Sequence, residues 1–137
     1  MLSEKIEVKA RLNECDPLGI VWHGHYLRYF EDAREAFGDK YGLSYLDIYK
    51  QGYVVPVVSI NCDYKKYLRY GETAIVETIF INNPAAKINF QFKIYFPKTF
   101  QIIAEGSSVQ VFVDKSNMQL QLTSPKFFET WKKKQNI

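Results

Sequence analysis

Along residues 5–12, Ile6, Val8, Ala10 and Leu12 alternate with Lys5, Glu7, Lys9 and Arg11. A period of two with one charged side predicts a strand with one wet face. Glu14-Cys15-Asp16-Pro17-Leu18-Gly19 interrupts it as a turn punctuated by Pro and Gly. The period then changes. Tyr26, Tyr29, Phe30, Ala33, Ala36, Phe37 and Tyr41 recur at three- and four-residue steps, with Arg28, Glu31, Asp32, Glu35 and Asp39 between them. That spacing predicts a helix with a wide aromatic side, ending near Gly38 or Gly42. Arg28–Asp32 and Glu31–Arg34 are expected to be weak surface pairs on it. Ser44 is placed to cap a short second helix reaching Tyr49.

The rest reads as strands. Residues 53–70 are rich in Val, Ile and Tyr, and residues 73–81 alternate. Asn82-Asn83-Pro84 marks a turn. Ile88, Phe90, Phe92, Ile94 and Phe96 alternate with Asn89, Gln91, Lys93 and Tyr95. Residues 102–113 form another strand, and residues 125–134 a terminal helix. One helix cannot bury so wide an aromatic side alone, whereas antiparallel strands with an apolar face can cover it. The pattern therefore predicts a two-layer α+β domain spanning residues 1–137, with no internal repeat or linker. Edge strands of such a sheet need a partner, so a homodimer or homotetramer is expected.

Composition narrows the classes. The chain has 137 residues, 47% hydrophobic and 24% charged, an ordinary globular balance that argues against disorder. A net charge of +3 gives no reason to expect a nucleic-acid partner. Cys15 and Cys62 form no spaced framework, so reduced thiols are expected. The first residues lack a signal-peptide core, and no stretch approaches the ~20 apolar residues of a membrane span. A soluble cytoplasmic protein is the expectation.

Residues 14–34, Glu14-Cys15-Asp16-Pro17-Leu18-Gly19-Ile20-Val21-Trp22-His23-Gly24-His25-Tyr26 through Ala33-Arg34, resemble the signature of the 4-hydroxybenzoyl-CoA thioesterase family. The pattern is an acidic residue, Asp, Gly, a hydrophobic pair, an aromatic, often His, then Tyr and an Ala-Arg pair. The Trp22-His23 pair is most like the short-chain acyl-CoA thioesterases associated with the Tol–Pal cluster. Residues 63–72 resemble the family's strand that ends in a basic loop and Gly-Asp/Glu, with Tyr67 at the usual Pro. The resemblance implies a hot-dog fold, an antiparallel sheet wrapped around one long central helix. It also implies hydrolysis of an acyl-CoA or acyl-carrier-protein thioester, with no cofactor beyond the coenzyme A of the substrate.

An Asp before Pro is by itself an ordinary loop carboxylate. Close to a helix start, it would lie near N–H groups carrying about half a positive charge. That keeps it ionised, as a nucleophile or a general base requires. Within the family pattern Asp16 is the catalytic candidate. Position 23, taken as the start of the helix, is expected to supply the backbone N–H that polarises the thioester carbonyl. The His23 imidazole either assists the departing thiol or stacks at the helix start. His25 is read as structural or exposed, since two His separated by one residue make a poor metal site, and no metal is expected. Gly19, Val21, Trp22 and Tyr26 are the acyl-side candidates, although core packing explains the large ones equally well. Lys65, Lys66 and Arg69 would meet coenzyme A phosphates or form a solvated strand end. A non-catalytic acyl-binding protein on the same fold is the alternative from another class.

Overall fold

The computed structural model describes all residues 1–137. Its elements are β1 (Ser3–Lys9), α1 (His25–Tyr41), α2 (Tyr45–Lys50), β2 (Tyr53–Val54), β3 (Val57–Tyr64), β4 (Thr73–Ile81), β5 (Lys87–Tyr95), β6 (Ile102–Val111), β7 (Val113–Asp114) and α3 (Lys126–Lys134). Five strands form one antiparallel sheet in the order β1-β4-β5-β6-β3, while β2 and β7 pair separately. This is the α+β, helix-wrapping arrangement that the sequence implies.

The register explains the wrapping. Phe92 on β5 lies opposite Gly106 on β6, which lies opposite Cys62 on β3. The Phe30 ring of α1 stacks on Phe92 at 4.6 Å between centroids. It also occupies the space a side chain at Gly106 would need, since a Cβ there would come within 2.6 Å of the ring and 2.3 Å of the Asn61 carbonyl. Further along, Phe37 meets Phe80 and Phe90, and the α3 residues Phe128 and Trp131 close that end of the core. Gly106→Ala should therefore overpack the helix–sheet contact and lower stability by about 1–3 kcal/mol. A urea melt checks this, and an unchanged midpoint would contradict the close approach.

Four expectations need correction. Residues 53–70 are not one strand. Pro56 follows β2, and the strand that resumes as β3 ends at Tyr64, leaving residues 65–72 as a loop. Pro lacks the N–H a continuous ladder would need. The first strand stops at Lys9, and Leu12 is exposed in a one-turn 3-10 helix. The long helix begins at His25 rather than at position 23, because Trp22 to Gly24 make a tight turn closed by His25 N–H to the Trp22 carbonyl at 3.0 Å. Arg34 does not pair with Glu31 on the surface. It is buried, donating to Gln110 Oε1 at 3.1 Å and the Leu43 carbonyl at 2.9 Å, with its guanidinium over the Tyr45 and Phe90 rings. Glu31 is instead taken by the Tyr45 hydroxyl. The Ser44 cap forms as expected, exchanging hydrogen bonds with Asp47.

Candidate active site

The Asp16 segment folds back on itself as a small hairpin. Cys15 bridges Val21, Asp16 N–H reaches the Ile20 carbonyl at 2.9 Å, and Trp22 N–H reaches the Glu14 carbonyl at 2.9 Å. Gly19 sits at the tip with φ +79°, donating to the Asp16 carbonyl. Asp16 is half-buried, and its Oδ1 accepts only the Leu18 N–H, at 2.8 Å. The Asx turn orients the carboxylate and leaves its second oxygen without a protein donor. Asp16 makes no ion pair.

The hairpin delivers the chain to the turn at 22–24. Neither the His23 N–H nor the Gly24 N–H has an acceptor within the protein. Gly24 has no room for a side chain, because a Cβ there would fall 2.1 Å from the Trp22 ring. The half-exposed Trp22 ring also lies against His23 at 4.9 Å and His25 at 5.6 Å. Free N–H groups beside a helix start are the local source of positive potential. The N–H of position 23 thus lies free two residues ahead of the helix.

Not all of the acyl-side candidates face a cleft. Val21 is buried in the core, its N–H bonded to the Leu68 carbonyl at 2.8 Å. Tyr26 is buried as well, and its hydroxyl accepts the Leu68 N–H at 3.2 Å. Both bind the turn to the 65–72 loop. That loop holds Lys65, Lys66 and Arg69 around one cavity of about 550 Å³, shared with Tyr64, Tyr67 and Phe96. Ile20 bridges Arg69, so the Asp16 hairpin and the basic cavity are neighbours. A larger cleft of about 680 Å³ opens between α2 and α3. Its only carboxylate, Asp47, caps α2, and it has no nucleophile beside a base.

Glu14 stands out in the structure but not in the sequence, where it is only the acidic first member of the pattern. It is buried, and its carboxylate accepts from the Arg11 N–H at 2.8 Å, the Tyr29 hydroxyl at 2.9 Å and the Arg28 guanidinium. Burial alone would raise its pKa, but these donors outweigh burial and hold the carboxyl below its ordinary value. Glu14 thus clamps the hairpin to the first turns of α1. Its signal was an acidic residue with Arg and Tyr 14 and 15 residues downstream, which only a known fold would bring together.

Comparison with known proteins gives the family. A family model described as the thioesterase-like superfamily matches residues 10–131. The chain belongs to the thioesterase-like superfamily. Thioester hydrolase, the enzyme class expected from residues 14–34, is the class its relatives occupy. The candidate acyl-CoA thioesterase YneP of Bacillus subtilis (strain 168) is 37% identical over 115 residues, covering 84% of this chain and 83% of that protein. The crystal structure of DHNA-CoA thioesterase from Staphylococcus aureus superposes with a TM-score of 0.84 at 29% identity, covering 99% of this chain and 93% of that one. A 4-hydroxybenzoyl-CoA thioesterase in complex with 4-hydroxybenzoyl-CoA shares the fold, with a TM-score of 0.81 at 20% identity over 96% of this chain and 99% of that one. No helix is long and apolar enough to cross a membrane.

Proposed function

We propose that this protein hydrolyses acyl-CoA thioesters to the free acid and coenzyme A, with Asp16 as the catalytic carboxylate and the His23 backbone N–H as the carbonyl donor. The observation that carries this is a carboxylate with a free oxygen on the same hairpin that leads into two unpaired N–H groups, beside a basic cavity. Asp16 as a general base is the simpler route. A carboxylate of pKa about 4 leaves an acyl adduct more readily than a thiolate of pKa about 8.5, so a covalent adduct would collapse backwards. In the base route Asp16 takes a proton from water as the water oxygen bonds to the acyl carbon. The tetrahedral oxyanion rests on the N–H donors, the carbon–sulfur bond breaks, and the proton passes to the coenzyme A thiolate. No cofactor enters these steps.

Lys65, Lys66 and Arg69 bind the phosphates of coenzyme A, which favours a coenzyme A substrate over a carrier protein. Trp22, with Gly19 at the hairpin tip, flanks the acyl group; Val21 and Tyr26 support the site from the core. The Trp22-His23 pair also favours a finer placement near the Tol–Pal-associated short-chain enzymes. The functional unit is residues 1–137 as a homodimer formed through β3. This edge strand is paired on one side only and exposes Val57, Val58, Ile60 and Tyr64, a surface that invites a second copy. The reading includes a cytoplasmic location, where acyl-CoA is available.

A thiol-release assay over short alkyl and aryl acyl-CoAs tests the activity. Turnover of at least one is expected, and binding without release across the whole panel would favour the acyl-binding alternative. Replacing Lys65, Lys66 and Arg69 together by Ala should raise KM for acyl-CoA about tenfold or more with little change in kcat. An unchanged KM would remove the phosphate role.

A further inference from the structure

The two free N–H groups of the turn belong to two peptide units, and each unit is held by its carbonyl. The Trp22–His23 unit is fixed through the Trp22 oxygen, which accepts the His25 N–H at 3.0 Å. The His23–Gly24 unit is fixed from outside the turn. Its oxygen accepts the Tyr64 hydroxyl at 2.7 Å, while the Tyr26 N–H is more distant at 3.4 Å. In a trans peptide the N–H points away from the C=O, so a held oxygen aims the hydrogen. A donor on the carbonyl also polarises the amide and strengthens its N–H.

Tyr64 ends β3 and is itself located by aromatic contacts, edge-on to Tyr26 at 5.0 Å and to His23 at 6.2 Å. Partial burial, with Cys62 beside it, pushes the hydroxyl up to about 12, so it remains a proton donor through the neutral range. Tyr64 also lies on the wall of the basic cavity.

We propose that Tyr64 is a positioning residue, whose hydroxyl holds the His23 carbonyl and so aims the unpaired N–H of Gly24, beside that of His23, at the thioester oxygen. This rests on the thioesterase reading above. It adds a side chain from the far edge of the sheet to the carbonyl-polarising machinery. Because Tyr64 acts through the turn, its hydroxyl matters in the transition state and not in holding substrate.

Tyr64→Phe keeps the ring contacts and removes only this bond. Loss of a whole oxyanion donor costs about 10²–10³ in kcat, and loosening one should cost about tenfold. The expected result is that fall in kcat, with KM within about twofold and an unchanged unfolding midpoint. Tyr64→Leu should behave like Tyr64→Phe, because the hydroxyl and not the ring does the aiming. In the substrate-free protein, Tyr64→Phe should shift the His23 carbonyl carbon resonance and speed amide exchange at Gly24. Wild-type kcat in Tyr64→Phe, a rise in KM alone, or an unmoved His23 carbonyl resonance would each overturn the proposal. The resonance arm needs no turnover, so it tests the Tyr64 hold on the His23 carbonyl separately from the thioesterase reading, which fails by itself if the wild type hydrolyses none of the acyl-CoAs offered.

Discussion

Asp16→Asn is expected to lower kcat for thioester hydrolysis by about 10²–10⁴, the usual contribution of a positioned acid or base, while the protein unfolds at the same denaturant concentration. The structure gives both halves of that expectation. The one hydrogen bond the Asp16 carboxylate accepts comes from the Leu18 N–H to Oδ1, and an amide oxygen accepts it equally well, so the Asx turn survives. Asp16 is only half-buried and makes no ion pair, so its charge is not needed to hold the hairpin. What the substitution removes is an anionic oxygen able to take a proton. Steady-state kinetics with any acyl-CoA that the wild type turns over, together with a urea melt, checks the result. Full activity in the Asn variant would remove Asp16 from the reaction, and a lost fold would show that the carboxylate is structural. Binding of acyl-CoA should persist, because the basic cavity around Lys65, Lys66 and Arg69 is untouched.

Periodicity revealed those parts of the molecule in which neighbouring positions share a face. The alternation from Ile88 to Phe96 gave β5 and its inward phenylalanines, and the spacing of Tyr26, Tyr29, Phe30, Ala33 and Phe37 gave the buried face of α1. It failed where one residue answers to a distant one. Arg34 lies on the apolar side of α1, but a charged residue looks solvent-facing to any local pattern. Its partners Gln110 and Leu43 come from β6 and from the loop after the helix. The start of α1 lies two residues later than position 23 because the chain first makes a tight turn, closed by the His25 N–H to the Trp22 carbonyl, which no window of hydropathy registers. Tyr64 stood within a recognised motif, but its use depends on the turn 41 residues earlier. The resemblance at residues 14–34 singled out Asp16 and position 23; it did not show what holds them.

Glu14→Gln is expected to cost about 1–3 kcal/mol at neutral pH, the range for hydrogen bonds to a charged group, and the cost should vanish in acid. The carboxylate is 6% exposed and serves three donors, the Arg11 N–H, the Tyr29 hydroxyl and the Arg28 guanidinium. An amide keeps one acceptor oxygen but turns an NH₂ group toward donors. Burial works against the charge, and these donors more than offset it, so the folded carboxyl titrates below its unfolded value of about 4.5. A depressed carboxyl stabilises the fold above the unfolded value, and that stability is lost as pH falls through the folded one. The gap between wild type and Glu14→Gln in urea melts should thus be widest near neutrality and should close at progressively lower pH. A gap that stays constant down to strong acid would show that Glu14 contributes shape and not charge. Because the same carboxylate ties the hairpin to Arg28 and Tyr29 on α1, kcat in the Gln variant should fall much less than in Asp16→Asn. The comparison separates the group that holds the hairpin from the group that performs the chemistry.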